Sequence, residues 1–353
     1  MNQFEIFHLL VMTAASFLLG MVFAPILLRT LVKYRFGKNL RDESQAPVMV
    51  KLHAAKKGTP VGGGILVWGS VLLLIVLGEI FYVMFGPDSY LGSLAFLNRG
   101  ETLLPLGALL ASAAVGIIDD YLNVRGIGGN GGGLRMRYRL FLYTAIAIAG
   151  ALWFYFKLDW DLLRVPLVGA YNIGLWYIPF FILVIVSTGF SVNEADGLDG
   201  LAGGALLTGF GAMSAVSFLQ GKYDLAVFCG VIVGALVAFL WHNINPAKFF
   251  MGDTGAMSLG VTLGIVAMLT NTSLLLPIIG VIFVIESGSV IIQISSKKLR
   301  GKKVFRSTPI HHHFEAVGWT EPQIVMRFWL VSGMAAVVGL VVALVDFNLV
   351  IIR

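Results

Sequence analysis

Charge is scarce in this chain. Only 12% of its 353 residues are Asp, Glu, Lys or Arg, and 58% are hydrophobic. Soluble domains carry about a quarter charged residues, so an ordinary water-exposed fold is excluded. Cysteine is nearly missing: Cys229 stands alone, which excludes a disulfide framework and leaves a buried, inert thiol as its expected role. No Lys or Arg precedes the first apolar run, and "FHLLVMTAASFLLGMVFAPILL" is longer than a signal-peptide core, so it reads as a membrane crossing. Internal repeats and an appended soluble domain are absent as well, and residues 1–353 read as a single transmembrane domain.

Long uncharged runs take the place of a charged surface. Ten are visible, at 6–32, 61–85, 103–118, 138–156, 173–191, 200–219, 224–241, 255–270, 273–294 and 327–352. A bilayer core takes about 20 residues of helix per crossing. Inside lipid each backbone N–H and C=O must be satisfied within its own segment, so the runs are expected to be helices. The expected fold is all-α, a polytopic integral membrane protein with about ten transmembrane helices in the lipid bilayer. Glycine-rich crossings such as Gly260-x-x-x-Gly264 permit close helix pairing, within the chain or in a homodimer.

The net charge of +6 raises nucleic acid as a partner, but its distribution argues against it. Loops after odd-numbered runs hold 20 Lys and Arg, and loops after even-numbered runs hold 4. Lys and Arg excess marks the cytoplasmic side. Both termini are therefore expected outside, with the odd loops in the cytoplasm.

Five polar stretches interrupt the apolar background, and all lie in odd loops or at the helix ends beside them: "LHAAKKGTPVGGG" (52–64), "GIIDDYLN" (116–123), "SVNEADGLDGLAGG" (191–204), "WHNINPAKFFMGDTG" (241–255) and "TPIHHHFEAVGW" (308–319). Their agreement in side points to one composite site on the cytoplasmic face. Asp119 and Asp120 end an apolar helix, where two carboxylates meet the negative end of the macrodipole and repel each other unless a cation or a proton intervenes. Glu194, Asp196 and Asp199 crowd one stretch without a basic residue. Helix N-capping accounts for one such acid rather than three.

Asp253 opens a glycine-rich helix. Helix N-termini attract phosphate, and an Asp there suits Mg²⁺, which in turn holds phosphate. Asn243 and Asn245 are neutral donors suited to sugar or phosphate oxygens, or equally to turn formation around Pro246. Lys56 and Lys57, beside Thr59 and three glycines, are candidate phosphate partners, although the Walker A spacing is absent. "GIGGNG" (126–131) matches a dinucleotide fingerprint but has no preceding strand, so it reads as a loop. Glu286 sits inside an apolar run and reads as a structural or supporting acid. Three consecutive residues, His311, His312 and His313, are ill placed to bind one tetrahedral zinc ion. They read instead as an ordered loop over the site, with Glu315 available to orient one ring and at least one imidazole contacting substrate phosphate or holding the loop that does.

The ordered set "KKGTP", "DDYL", "NEADGLDGLAGG", "FMGDTG" and "PIHHHFE" resembles the phospho-N-acetylmuramoyl-pentapeptide transferases, within the polyprenyl-phosphate N-acetylhexosamine-1-phosphate transferase superfamily. The resemblance covers about residues 30 to 330. It implies an enzyme of the bacterial inner (plasma) membrane that moves phospho-MurNAc-pentapeptide from its UDP carrier (UDP-MurNAc-pentapeptide) to undecaprenyl phosphate, with Mg²⁺ as cofactor, releasing UMP and forming the first lipid-linked peptidoglycan precursor. Carried over by motif, Asp253 is the Mg²⁺ ligand and Asp119 prepares the lipid phosphate as nucleophile. Asp120 either supports the metal indirectly or shares the Asp119 role. Asn193, Asp196, Asp199 and Phe250 cradle uridine or sugar, with Lys56 beside them. The sequence departs from the family at Val61-Gly62, Glu194-Ala195 and Asn123. Two rival readings are a related GlcNAc-1-phosphate transferase and an ion-coupled transporter, against which the clustering of acids at one face argues.

Overall fold

In the computed structural model the described residues are 3–37, 56, 58–97, 101–128 and 132–347. Lys57 lies outside them, as do three residues of the "GIGGNG" loop. The helices in chain order are α1 (Gln3–Lys33), α2 (Gly64–Phe85), α3 (Leu103–Val124), α4 (Met136–Lys157), α5 (Tyr177–Ala195), α6 (Leu201–Leu219), α7 (Tyr223–Asn243), α8 (Gly252–Leu269), α9 (Leu276–Ile279), α10 (Val281–Arg300), α11 (Ile310–Ala316) and α12 (Glu321–Asp346). The described residues form a helical fold whose one sheet is a two-stranded hairpin, β1 (Leu162–Val165) with β2 (Gly169–Asn172).

Nine of the described helices are long and apolar enough to cross a membrane. The run at 273–294 differs from the single crossing expected of it. It breaks at Gly280 into the short α9 and the longer α10, and α10 carries Glu286, Lys297, Lys298 and Arg300. Its sidedness is the reverse of a soluble helix. Glu286, Ser287, Ser289, Gln293 and Ser296 are buried, whereas Ile285, Ile291, Ile292, Ile294 and Leu299 are exposed. Apolar side chains facing out and polar ones facing in is what lipid as solvent selects.

Helix α8 is the axis of the fold. Every one of its residues is buried except Asp253, at its N-terminal end. It packs against α3, α5, α2 and α6. Small residues allow the approach: a Cβ on Gly116 of α3 would fall 2.4 Å from Thr254 Cα, and one on Gly260 would fall 2.9 Å from Thr188 O. Gly264 likewise faces Thr188, so the Gly260-x-x-x-Gly264 pair is taken up by α5 inside the chain. The glycines after Pro60 serve the same end. Gly64 meets Gly255 and Gly63 meets Phe249, which seats the start of α2 against the start of α8.

The hairpin fastens the far end of α12. Arg164 Nε lies 2.6 Å from Asp346 Oδ2, and the Leu167 N–H donates to Asp346 Oδ1 at 2.8 Å. Glu321, at the other end of this 26-residue helix, belongs to a polar cluster around Lys56.

Candidate active site

Described residues from each of the five polar stretches meet at one end of the bundle. The centre is the N-terminus of α8, which is reached through Gly252 at φ +74°, a conformation that favours glycine. A helix start leaves N–H groups without intrahelical partners. Here they are satisfied from other elements: Asp196 Oδ2 accepts the Gly252 N–H at 3.2 Å, Asp120 Oδ1 accepts the Asp253 N–H at 2.9 Å, and Asp120 Oδ2 accepts the Thr254 N–H at 3.0 Å. Asp120 is thus a cap supplied by a neighbouring helix. The N–H groups that a helix start would offer to phosphate are already engaged.

Asp253 itself faces the other way. Its Oδ1 accepts from Asn193 Nδ2 at 2.5 Å and its Oδ2 lies 3.0 Å from Arg139 Nη2. Arg139 also contacts Asn193 Oδ1 through Nη1 at 3.2 Å and Asp119 Oδ2 through Nε at 2.5 Å. Asp119 Oδ1 takes the Leu134 N–H at 2.6 Å, which ties the loop before α4 to the end of α3. One guanidinium therefore bridges two carboxylates from different helices, Asp119 fully buried and Asp253 partly exposed. Adjacent residues on a helix point about 100° apart. That divergence lets Asp119 face Arg139 while Asp120 faces the helix start.

A second cluster forms around Lys56. Its ammonium lies 2.6 Å from Asp199 Oδ1 and 2.5 Å from Glu321 Oε1, and 5.8 Å from the centre of the half-buried Phe250 ring. Asp199 Oδ2 accepts from Asn245 Nδ2 and from the Ala247 N–H, while Glu321 accepts the Asp199 N–H at 2.7 Å. Helix α5 ends at Ala195, so Asp196 and Asp199 occupy the turn before α6. Asn243 bonds backbone at both ends of its carboxamide, accepting from the Gly200 N–H and donating to Phe249 O.

The histidine run is a short helix, α11, where a loop was expected, and each ring turns to a different partner. His311 Nδ1 lies 2.8 Å from Glu286 Oε2, His312 Nδ1 lies 2.7 Å from Glu315 Oε2, and His313 Nδ1 accepts the Arg306 N–H at 3.2 Å. Among the described residues no group of three or more His, Cys, Asp or Glu is arranged to hold a metal ion by itself.

Two members of the site carry little signal in the sequence. Arg139 is one of three alternating arginines in "LRMRYR", an ordinary positively charged helix start. Glu321 opens α12, where an acid reads as a helix-dipole partner. The capping box, however, is made by Thr320 and Gln323, which releases Glu321 to face Lys56.

The sequence profile described as glycosyl transferase family 4 matches residues 102–271, from the end of the loop before α3 to just past α8. A protein of Chloroflexus aggregans called phospho-N-acetylmuramoyl-pentapeptide-transferase is 37% identical over 349 residues, which is 95% of this chain and 89% of that one. Proteins of the same name from Geobacillus thermodenitrificans and Listeria welshimeri are 36% identical over 330 residues and 35% identical over 340. These alignments span 93% and 96% of this chain, and 95% and 99% of the relatives.

Proposed function

The chain belongs to the phospho-N-acetylmuramoyl-pentapeptide transferases, and from that premise we propose how its own residues carry the reaction. It is a multi-pass membrane enzyme. It transfers phospho-MurNAc-pentapeptide from its UDP carrier to a polyprenyl phosphate, which we take to be undecaprenyl phosphate, with release of UMP. We assign it to the bacterial plasma membrane with the site facing the cytoplasm, on the strength of the Lys and Arg bias between alternate loops.

The observation that carries the residue assignment is the convergence of Asp119 and Asp253 on one cation, the Arg139 guanidinium. Phosphoryl transfer depends on positioning and on neutralising charge. The donor set suits Mg²⁺, which takes hard oxygens and is bound through one or two carboxylates together with substrate phosphates. Asp253, the only residue of α8 not buried, would hold it. When bound there, such an ion would supply positive charge against the pyrophosphate oxygens. Asp120 fixes Asp253 by capping its helix, and Asn193 orients the Asp253 carboxylate. Asp119 accepts the proton of the lipid phosphate, so that its oxygen can attack. Lys56, Asp199 and Glu321 hold the turn on which Asp196 stands, and Phe250 offers uracil a ring face to stack on.

The test is transfer by purified enzyme in detergent with Mg²⁺, reading UMP release and the lipid product. UMP release with UDP-MurNAc-pentapeptide and undecaprenyl phosphate is expected. Release with UDP-GlcNAc and none with the muramoyl substrate would overturn the substrate assignment.

A further inference from the structure

Glu286 has no exposed surface and lies on the polar, inward face of α10, where a buried carboxylate is costly unless paired. Its partner is His311, with 2.8 Å between Glu286 Oε2 and His311 Nδ1, and the ring is 1% exposed. Where the carboxylate is the acceptor of this bond, the proton sits on Nδ1. The neighbouring His312 ring, 4.0 Å away between centroids, has its own carboxylate in Glu315.

The pair leaves two atoms over. Glu286 Oε1 and His311 Nε2 are both buried without a hydrogen-bond partner. Buried polar atoms are rarely left so, and those that are call for a reason such as an absent ligand. Nε2 is directed at the Asp196–Asp199 turn: a Cβ on Gly197 would come within 2.3 Å of it. That turn joins the two halves of the site, through Asp196 to the start of α8 and through Asp199 to Lys56. The helix bearing Glu286 is tied to α5 one residue further on, where Ser287 Oγ and Ser191 Oγ are 2.8 Å apart, two residues before Asn193.

We propose that Glu286 is a positioning residue for the transfer reaction: it keeps the His311 proton on Nδ1 and seats the ring against Gly197, so that Nε2 is the atom turned to the nucleotide sugar at the Asp196–Asp199 turn. Glu286 touches no reacting atom and acts through the ring. The proposal rests on the transfer reading given above. Glycine at position 197 follows from it, because any side chain there would displace the imidazole.

The test combines a spectroscopic readout with a double-mutant cycle. In ligand-free protein labelled with ¹⁵N-histidine, the His311 signals, identified by their loss in His311→Gln, are expected to show an Nδ1-protonated ring. Glu286→Gln keeps the volume but can donate as well as accept, so the pattern is expected to change. Its kcat/KM for UDP-MurNAc-pentapeptide is expected to fall by about tenfold or more, but by less than about twofold when made in His311→Gln protein. A wild-type ring protonated only on Nε2 would overturn the proposal, whether or not the Glu286 variant folds. So would a Glu286→Gln penalty that persists in full without His311, since that would make Glu286 a purely structural acid. Wild-type protein that showed the Nδ1 pattern yet transferred nothing would count against the reaction reading alone, because the ring is observed without substrate.

Discussion

Asp120 caps a helix to which it does not belong. Both of its carboxylate oxygens accept N–H groups at the start of α8, from Asp253 at 2.9 Å and from Thr254 at 3.0 Å, while its neighbour Asp119 faces Arg139. Two adjacent acids thus do different physical work. One holds a buried backbone in place, and the other is held by a cation at the edge of the site.

The first prediction separates them. Asp120→Ala leaves two buried N–H groups without acceptors, and each such orphan costs about 1–3 kcal/mol. Its melting temperature in detergent should fall clearly below wild type, with the transfer rate falling because Asp253 loses its anchor. Asp119→Asn should lose the rate while melting close to wild type. Equal melting of Asp120→Ala and wild type would rule out the capping role.

Asp253→Asn should abolish turnover while the protein still inserts and folds. The substitution removes the charge at the one unburied position of α8 and leaves the helix core untouched. If the purified variant keeps more than about a tenth of the normal kcat, a loss below roughly 1.4 kcal/mol, the assignment to Mg²⁺ fails.

Arg139 supplies the third. With the guanidinium gone, Asp119 and Asp253 face each other without a countercharge, and like charges at close range repel. Arg139→Gln should melt below wild type in the presence of a chelator, and Mg²⁺ should raise its melting temperature more than it raises that of wild type. An Mg²⁺ response smaller than wild type's would show that Arg139 does not stand where the cation's charge is needed.

The unequal legibility of these residues has physical causes. The crossings are plain as apolar runs because lipid imposes a length and a composition on each segment separately. The break at Gly280 is hidden, since the run on both sides is equally apolar up to Glu286. The hairpin at Leu162–Asn172 is hidden as well, because its anchor, Asp346, is some 180 positions further along. Asp253 stands out as an acid between glycines at a helix start. Arg139 and Glu321 do not, because a basic residue opening a helix beside a basic loop and an acid in a helix's first turn both have ordinary local explanations, and only the fold brings their partners near.

The orientation prediction uses exposed positions at opposite ends. Asp88 follows α2 and Lys302 follows α10, and both are exposed, whereas Cys229 is buried in α7. In a Cys229→Ser background, Asp88→Cys should react with an impermeant thiol reagent on intact cells, and Lys302→Cys only after permeabilisation. The reverse pattern would invert the topology, and with it the side on which the soluble substrate is met.

The last prediction concerns the three histidines. Their rings diverge to Glu286, Glu315 and the Arg306 backbone, so no single ion is served by all three. His311 and His312 are buried against carboxylates, whereas His313 is only partly buried and packs edge-on against Phe305 at 5.7 Å. Substitution should therefore grade along the run. His311→Ala leaves Glu286 buried and unpaired, a change expected to cost several kcal/mol in stability as well as activity. His313→Ala loses one exposed hydrogen-bond acceptor and should cost about 1 kcal/mol or less in stability. Treatment with a zinc-selective chelator, followed by assay in excess Mg²⁺, should leave activity intact. Stoichiometric zinc in the purified protein whose removal stops transfer would show instead that the run serves a metal.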